Sequence, residues 1–145
     1  MKNAVRAIVV KENKLLVMHR NKFGKEYDTL IGGGVDMGET AEHALFRELA
    51  EETGIQVANA RLVFLEEAGA PYGTQHIFLC DYVSGEPALN PQSDEAQINK
   101  LGSNLYTPKW LSLEDLPAAP FVSPRLKAAL LDCFKNGFPS QAQTL

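Results

Sequence analysis

Glu48, Glu51 and Glu52 stand at i, i+3 and i+4 in the segment Arg47-Glu48-Leu49-Ala50-Glu51-Glu52-Thr53-Gly54, downstream of a run of three glycines, Gly32 to Gly34. Residues 40–53 are good helix formers and Gly54 is a natural capping residue, so the spacing predicts a helix that ends there. At about 100° per residue the three carboxylates share a sector of roughly 100° on one side of that helix. Like charges so placed cost a few tenths of a kcal/mol per pair. The cluster borders the apolar positions Ala41, Ala44, Leu45 and Leu49, which sets its carboxylates at the edge of a core instead of fully in water. A fold that buries this stripe has to relieve the charge. A hard divalent cation such as Mg²⁺ or Mn²⁺, which prefers oxygen ligands, does so. Arg47, four residues before Glu51, can brace that carboxylate. Taken alone, three glutamates on a helix are ordinarily a solvated acidic face.

The rest of the chain supplies a setting for this helix. With 145 residues, 45% of them hydrophobic, it can build one compact domain, expected over residues 1–139 with a frayed tail at 140–145. Strands are expected over residues 4–10 and 15–20 as a hairpin, 27–31 running into the glycines, 57–67, 75–84 and 105–111. Ser112-Leu113-Glu114-Asp115 fits a capping box, and Ser123-Pro124 opens a helix that Gly137 and Pro139 stop. Residues 85–104, rich in Pro, Asn, Ser and Gly, read as a long loop of the kind that forms lids or binding sites. Cys80 and Cys133 lie in apolar patterns with no CxxC pair and read as core thiols. No secretory pattern opens the sequence and no apolar run approaches the roughly 20 residues of a membrane span, so a cytoplasmic protein without membrane partners is expected.

Net charge is −4 and the isoelectric point near 5.4, which argues against a general binder of nucleic-acid polymers, since such proteins neutralise many phosphates with Lys and Arg. The distribution is more telling. Residues 1–38 carry +3, residues 39–54 carry −4 and residues 55–145 carry −3. A basic segment suited to phosphate thus precedes an acidic helix suited to metal.

The glycines and the helix join in one pattern, Gly33-x5-Glu39-x7-Arg47-Glu48-Leu49-x-Glu51-Glu52-x-Gly54-Ile55. It resembles the complete signature of the Nudix (MutT-like) hydrolase family, a match expected by chance on the order of 10⁻⁷ per chain at average residue usage. The likeness extends to Leu15-Leu16-Val17 with Arg20, and to Trp110-Leu111-Ser112-Leu113-Glu114-Asp115-Leu116. Many members have Leu-Pro-Gly-Gly where this chain has Leu30-Ile31-Gly32-Gly33, a change expected to alter loop stiffness and not chemistry. The resemblance implies an α/β/α sandwich around a mixed β-sheet, with a loop–helix–loop metal site.

It also implies Mg²⁺-dependent hydrolysis of a pyrophosphate bond in a nucleoside diphosphate linked to another group X, with Mn²⁺ able to substitute. The partner would be a small nucleotide or nucleotide derivative, and a homodimer is an expectation because many relatives are dimers. Glu48 and Glu52 match the principal ligand positions, with Glu51 a further ligand or support and the Gly33 carbonyl a candidate oxygen donor. Glu39, Arg47 and Gly54 are structural within the motif. The general base is either Glu48 or an acid of the long loop, Asp94 or Glu95, with Glu95 the narrow choice. Arg6 and Arg20, each in an otherwise apolar strand, are expected to grip phosphate oxygens. His19, Lys22 and Lys25 would add positive potential, and Phe23, Tyr27 or Tyr72 could stack on a base. Of Glu66 and Glu67, alternating on a strand, only one can face the site. A catalytically silent nucleotide-binding or regulatory protein of the same fold is the alternative, although every charged position of the signature is present.

Overall fold

A computed structural model describes residues 3–69 and 73–145. In chain order the elements are β1 (Ala4–Lys11), β2 (Lys14–Lys22), β3 (Lys25–Thr29), β4 (Ile31–Gly34), α1 (Ala41–Glu52), β5 (Gln56–Glu67), β6 (Thr74–Ser84), α2 (Asp94–Asn99), β7 (Asn104–Ser112), a 3-10 turn (Leu116–Ala118), α3 (Pro124–Asn136) and β8 (Gln143–Thr144). The strands run in the order β3-β2-β1-β6-β5-β8, with β4 also on β1 and β7 also on β2. The pairs β1–β6 and β5–β8 are parallel and the others antiparallel, so the sheet is mixed.

Period-two alternation feeds two cores, one on each face. Val5, Ala7 and Val9 of β1 and Leu16 and Met18 of β2 pack with Ala44, Leu45 and Leu49 of α1. Ile8 of β1 and Leu15 and Val17 of β2 belong to the other cluster, with Leu126, Leu130 and Cys133 of α3. Helices thus cover both faces, giving the α/β/α sandwich. Both cysteines are buried in these cores, and burial pushes the Cys80 thiol up to about 12. No helix among the described residues is long and apolar enough to cross a membrane.

The helix of the glutamates begins where Thr40 accepts the His43 N–H at 3.1 Å and closes at Gly54, whose φ of +71° favours glycine. Before it, the expected single strand over 27–31 divides at Leu30, β3 pairing with β2 and β4 with β1. Gly32 lets β4 lie that close: a Cβ there would collide with the Val5 carbonyl oxygen.

Three segments differ from the sequence reading. The supposed loop 85–104 contains α2, capped by Ser93, whose Oγ accepts the Ala96 N–H at 3.1 Å. Its approach is fixed to the end of α1 by Ala88 N–H to the Thr53 carbonyl and Asn90 N–H to the Glu51 carbonyl. The helical turn expected after Ser112 forms only as the 3-10 turn Leu116–Ala118. The tail expected to fray from Ser140 instead adds β8 beside Phe64 and Leu65 of β5, with Leu145 N–H on the Leu65 carbonyl at 2.8 Å.

Candidate metal and phosphate site

α1 presents Glu48 and Glu52 one turn apart, and the first turn of α2 brings Glu95 to them. Carboxylate oxygens of the three lie within 4.8 Å of one another. Glu48 and Glu52 are 9% and 7% exposed, an unusual depth for charged groups that do not pair with each other. The loop is shaped around them: a Cβ on Gly33 would stand 2.6 Å from Glu48 Oε1, and Gly32 N–H donates to Glu52 Oε2 at 3.1 Å. Burial raises the Glu52 carboxyl well above its usual range, and the charges of Glu48 and Glu95 add to this against the pull of Arg6 and the Gly32 N–H. Burial likewise raises Glu48 and Glu95, although Arg47 partly offsets the effect at Glu48. Three carboxylates, half dry and repelling one another, form an all-oxygen donor set that fits a hard divalent cation such as Mg²⁺ or Mn²⁺.

The raised carboxyls link stability to pH. A carboxyl whose pKa is raised on folding favours the folded state below its unfolded value of about 4.3, and that contribution is lost as pH rises through the folded value. Neutral pH therefore strains the metal-free protein at Glu48, Glu52 and Glu95, while a bound cation requires the deprotonated form. Thermal melts should show Mn²⁺ raising the melting temperature by several degrees more at pH 7.5 than at pH 5. Equal shifts at the two pH values would contradict the assignment.

Arg47 organises the approach to the cluster. Its Nε and Nη2 donate to the two oxygens of Glu39 at 2.8 and 2.9 Å, Nη2 also reaches the Gly34 carbonyl at 3.1 Å, and Nη1 donates to Glu48 Oε1 at 3.0 Å. Glu51 takes a longer bond, 3.4 Å from Nη1, and lies outside the group of three. Glu39 also accepts the Asp36 N–H at 2.9 Å and meets His43 Nδ1 at 2.8 Å. Arg47 and these donors hold the Glu39 carboxyl at about 2. The forked Arg47–Glu39 pair thus ties the glycine loop to α1 and aims Glu48.

Two guanidiniums flank the acids. Arg20 donates from Nη2 to Asn104 Oδ1 at 2.5 Å and from Nε to the Leu105 carbonyl at 3.4 Å, and it lies 3.6 Å from the centroid of the Tyr106 ring. Arg6 donates to Gln75 Oε1 at 3.0 Å and to the Leu30 carbonyl at 3.2 Å. Burial lowers the Arg6 pKa, the fields of Glu52 and Glu48 oppose this, and the nearby Arg20 repels it. Among the described residues neither arginine forms an ion pair with a carboxylate.

Other sequence candidates go elsewhere. His19 sits against Asp28 at 2.7 Å and Glu26 at 3.1 Å. Lys22, Phe23 and Lys25 are exposed around the β2–β3 turn, while Tyr27 is half-buried with its ring 5.7 Å from Arg20. Tyr72 lies outside the described residues. Glu66 accepts from Ser123 Oγ at 2.5 Å beside Arg125, at the start of α3, and Glu67 accepts from Thr74 at 2.6 Å, so neither joins the acidic group. Sequence reasoning missed Tyr106 and Asn99; their signal is the register that sets Tyr106 opposite Arg20.

The chain belongs to the Nudix family, whose NUDIX domain model matches residues 1–131. Its relatives include the NAD-capped RNA hydrolase NudC of Salmonella paratyphi C (strain RKS4594), 31% identical over 110 residues, which make up 76% of this chain and 38% of that protein. The NudC of Photorhabdus laumondii is 34% identical over 106 residues, 73% of this chain and 37% of that one. The chain thus spans less than two-fifths of the length of these relatives. Among solved structures, an ADP-ribose pyrophosphatase from Streptococcus suis 89-1591 shares the fold with a TM-score of 0.67 and 22% identity, over 99% of this chain and 96% of that one. A MutT NUDIX hydrolase from Burkholderia pseudomallei gives 0.65 and 25%, over 87% and 94%.

Proposed function

We propose that this chain hydrolyses a pyrophosphate bond in a nucleoside diphosphate linked to a group X, using Mg²⁺ or, in its place, Mn²⁺. The observation that carries this is the meeting of Glu48, Glu52 and Glu95 within 4.8 Å, in the field of Arg6 and Arg20, which among the described residues form no ion pair with a carboxylate. Glu48 and Glu52 would hold the cation, the Gly33 carbonyl would add an oxygen donor, and Glu51, which bonds Arg47 and lies outside the group of three, would support them. When bound, such a cation neutralises pyrophosphate charge and lowers the pKa of an attacking water. Arg6 and Arg20 draw in the phosphates and hold them in register with the acids. Glu95, made more basic by burial, accepts the proton from water. The burial of Glu48 and Glu52 limits competing water around the reacting bond.

The chemistry of the cluster addresses the pyrophosphate and leaves X to the surrounding loops. NAD-capped RNA and ADP-ribose, named for the relatives, both join two groups through a pyrophosphate and so belong in the first set of trials. The test is a panel of ADP-ribose, NAD, NAD-capped RNA, nucleotide sugars, dinucleoside polyphosphates, coenzyme A and nucleoside triphosphates, followed by ³¹P NMR with Mg²⁺ and with EDTA. At least one compound should be cleaved at its pyrophosphate only when metal is present. Cleavage of none, or equal cleavage in EDTA, would overturn the proposal.

A further inference from the structure

Asn99 closes the end of α2 against β7 with two bonds to a single residue. Its Nδ2 donates to the Tyr106 carbonyl at 2.8 Å and its Oδ1 accepts the Tyr106 N–H at 2.7 Å. One amide side chain thereby satisfies both backbone groups of Tyr106, as a neighbouring strand would. One helical turn before Asn99 stands Glu95, the member of the acidic group that does not come from α1. The ring of the same Tyr106 lies under the Arg20 guanidinium at 3.6 Å, while its two predecessors, Asn104 and Leu105, accept bonds from that guanidinium.

Glu95 and Arg20 are thus connected through one pair of hydrogen bonds. α2 has six residues, none buried, and a helix this short has little stability of its own. Its start is held by the Ser93 cap and by the bonds of Ala88 and Asn90 to the end of α1. Its end is held by Asn99 and, beyond the turn, by Phe23 N–H on the Ser103 carbonyl at 2.7 Å.

We infer that Asn99 is a positioning residue that sets the acid Glu95 and the phosphate-binding Arg20 at a fixed separation, so that loosening it impairs cation and nucleotide binding together. The inference rests on the proposed function, because it takes Glu95 as the acid that faces the cation and its water, and Arg20 as a phosphate ligand. Tyr106 acts differently: its ring supports Arg20 alone, while its backbone serves Asn99 whatever side chain it bears.

Titration calorimetry with Mn²⁺ alone, and then with the non-hydrolysable nucleotide α,β-methylene-ADP in the presence of Mn²⁺, separates the possibilities without requiring turnover. Asn99→Ala should weaken both ligands by about tenfold or more, the scale at which supporting residues tune metal sites. Tyr106→Leu should weaken the nucleotide and leave Mn²⁺ within about twofold of wild type, because only the Arg20 platform is lost. Asn99→Asp keeps the acceptor for the Tyr106 N–H and should fall between wild type and Asn99→Ala for the nucleotide. If Asn99→Ala melts below the assay temperature, the decision passes to Asn99→Asp, which must still weaken the nucleotide by at least about threefold, more than the scatter of independent sites. A folded Asn99→Ala that changes neither affinity, or only one, overturns the inference while the proposed function stands. A wild-type protein that binds neither Mn²⁺ nor the nucleotide overturns both.

Discussion

Glu52→Gln should lower turnover about a thousandfold or more, a loss of roughly 4 kcal/mol in transition-state stabilisation, while leaving the melting temperature within a few degrees of wild type. The substitution keeps the size of the side chain, and the amide oxygen can still accept the Gly32 N–H that meets Glu52 at 3.1 Å. What disappears is the negative charge needed to hold a divalent cation. That charge is a burden on the metal-free fold, since burial and the neighbouring Glu48 and Glu95 all raise the carboxyl's pKa. The metal-free variant should therefore be at least as stable as wild type at neutral pH. Steady-state kinetics and a melting curve check both halves. Loss of the fold would make Glu52 a structural residue, and unchanged turnover would remove it from the site.

Arg20→Ala should raise KM about 10–150-fold, the range expected when a charge-assisted bond worth about 1.5–3 kcal/mol is removed. The melting temperature should change little, because the bonds that Arg20 makes run to the rim of β7 and not into either core. Arg20→Lys should recover only part of the loss. A lysine ammonium cannot lie flat on the Tyr106 ring at 3.6 Å while forking toward Asn104 and a phosphate. Kinetics with the best substrate of the panel decide the matter, and a variant whose KM matches wild type would move the phosphates elsewhere, leaving Arg6 as the guanidinium to test.

The parts of this site that are legible in the sequence are those governed by local spacing. Thr40, the apolar stripe through Ala44, Leu45 and Leu49, and Gly54 mark α1 because caps and periodicity act within a few residues. Arg6 and Arg20 stand out as charges inside apolar strands; the fields of Glu52 and Glu48 reach Arg6, and that of Arg20 reaches Glu95. α2 is not legible: Asp94–Asn99 has no buried residue and hence no periodic signal, and its place depends on Thr53, Glu51 and Tyr106, none of them within the helix. β8 is hidden for a similar reason, since Gln143 and Thr144 are exposed and join β5 through backbone groups that any residue carries. The fate of Glu66 turns on sheet register, which sends it to Ser123 and Arg125. Tyr106 needs the pairing of β2 with β7 before it can be seen under Arg20.

The acidic group as a cation site is the claim on which the rest depends, and direct titration of Mn²⁺ into the metal-free protein tests it. Wild type should bind Mn²⁺, and Glu48→Gln, Glu52→Gln and Glu95→Gln should each weaken that binding by about tenfold or more while remaining folded, since each removes a negative charge from the acidic group that offsets a hard cation. Mn²⁺ affinity that is the same in wild type and in all three variants would contradict the account.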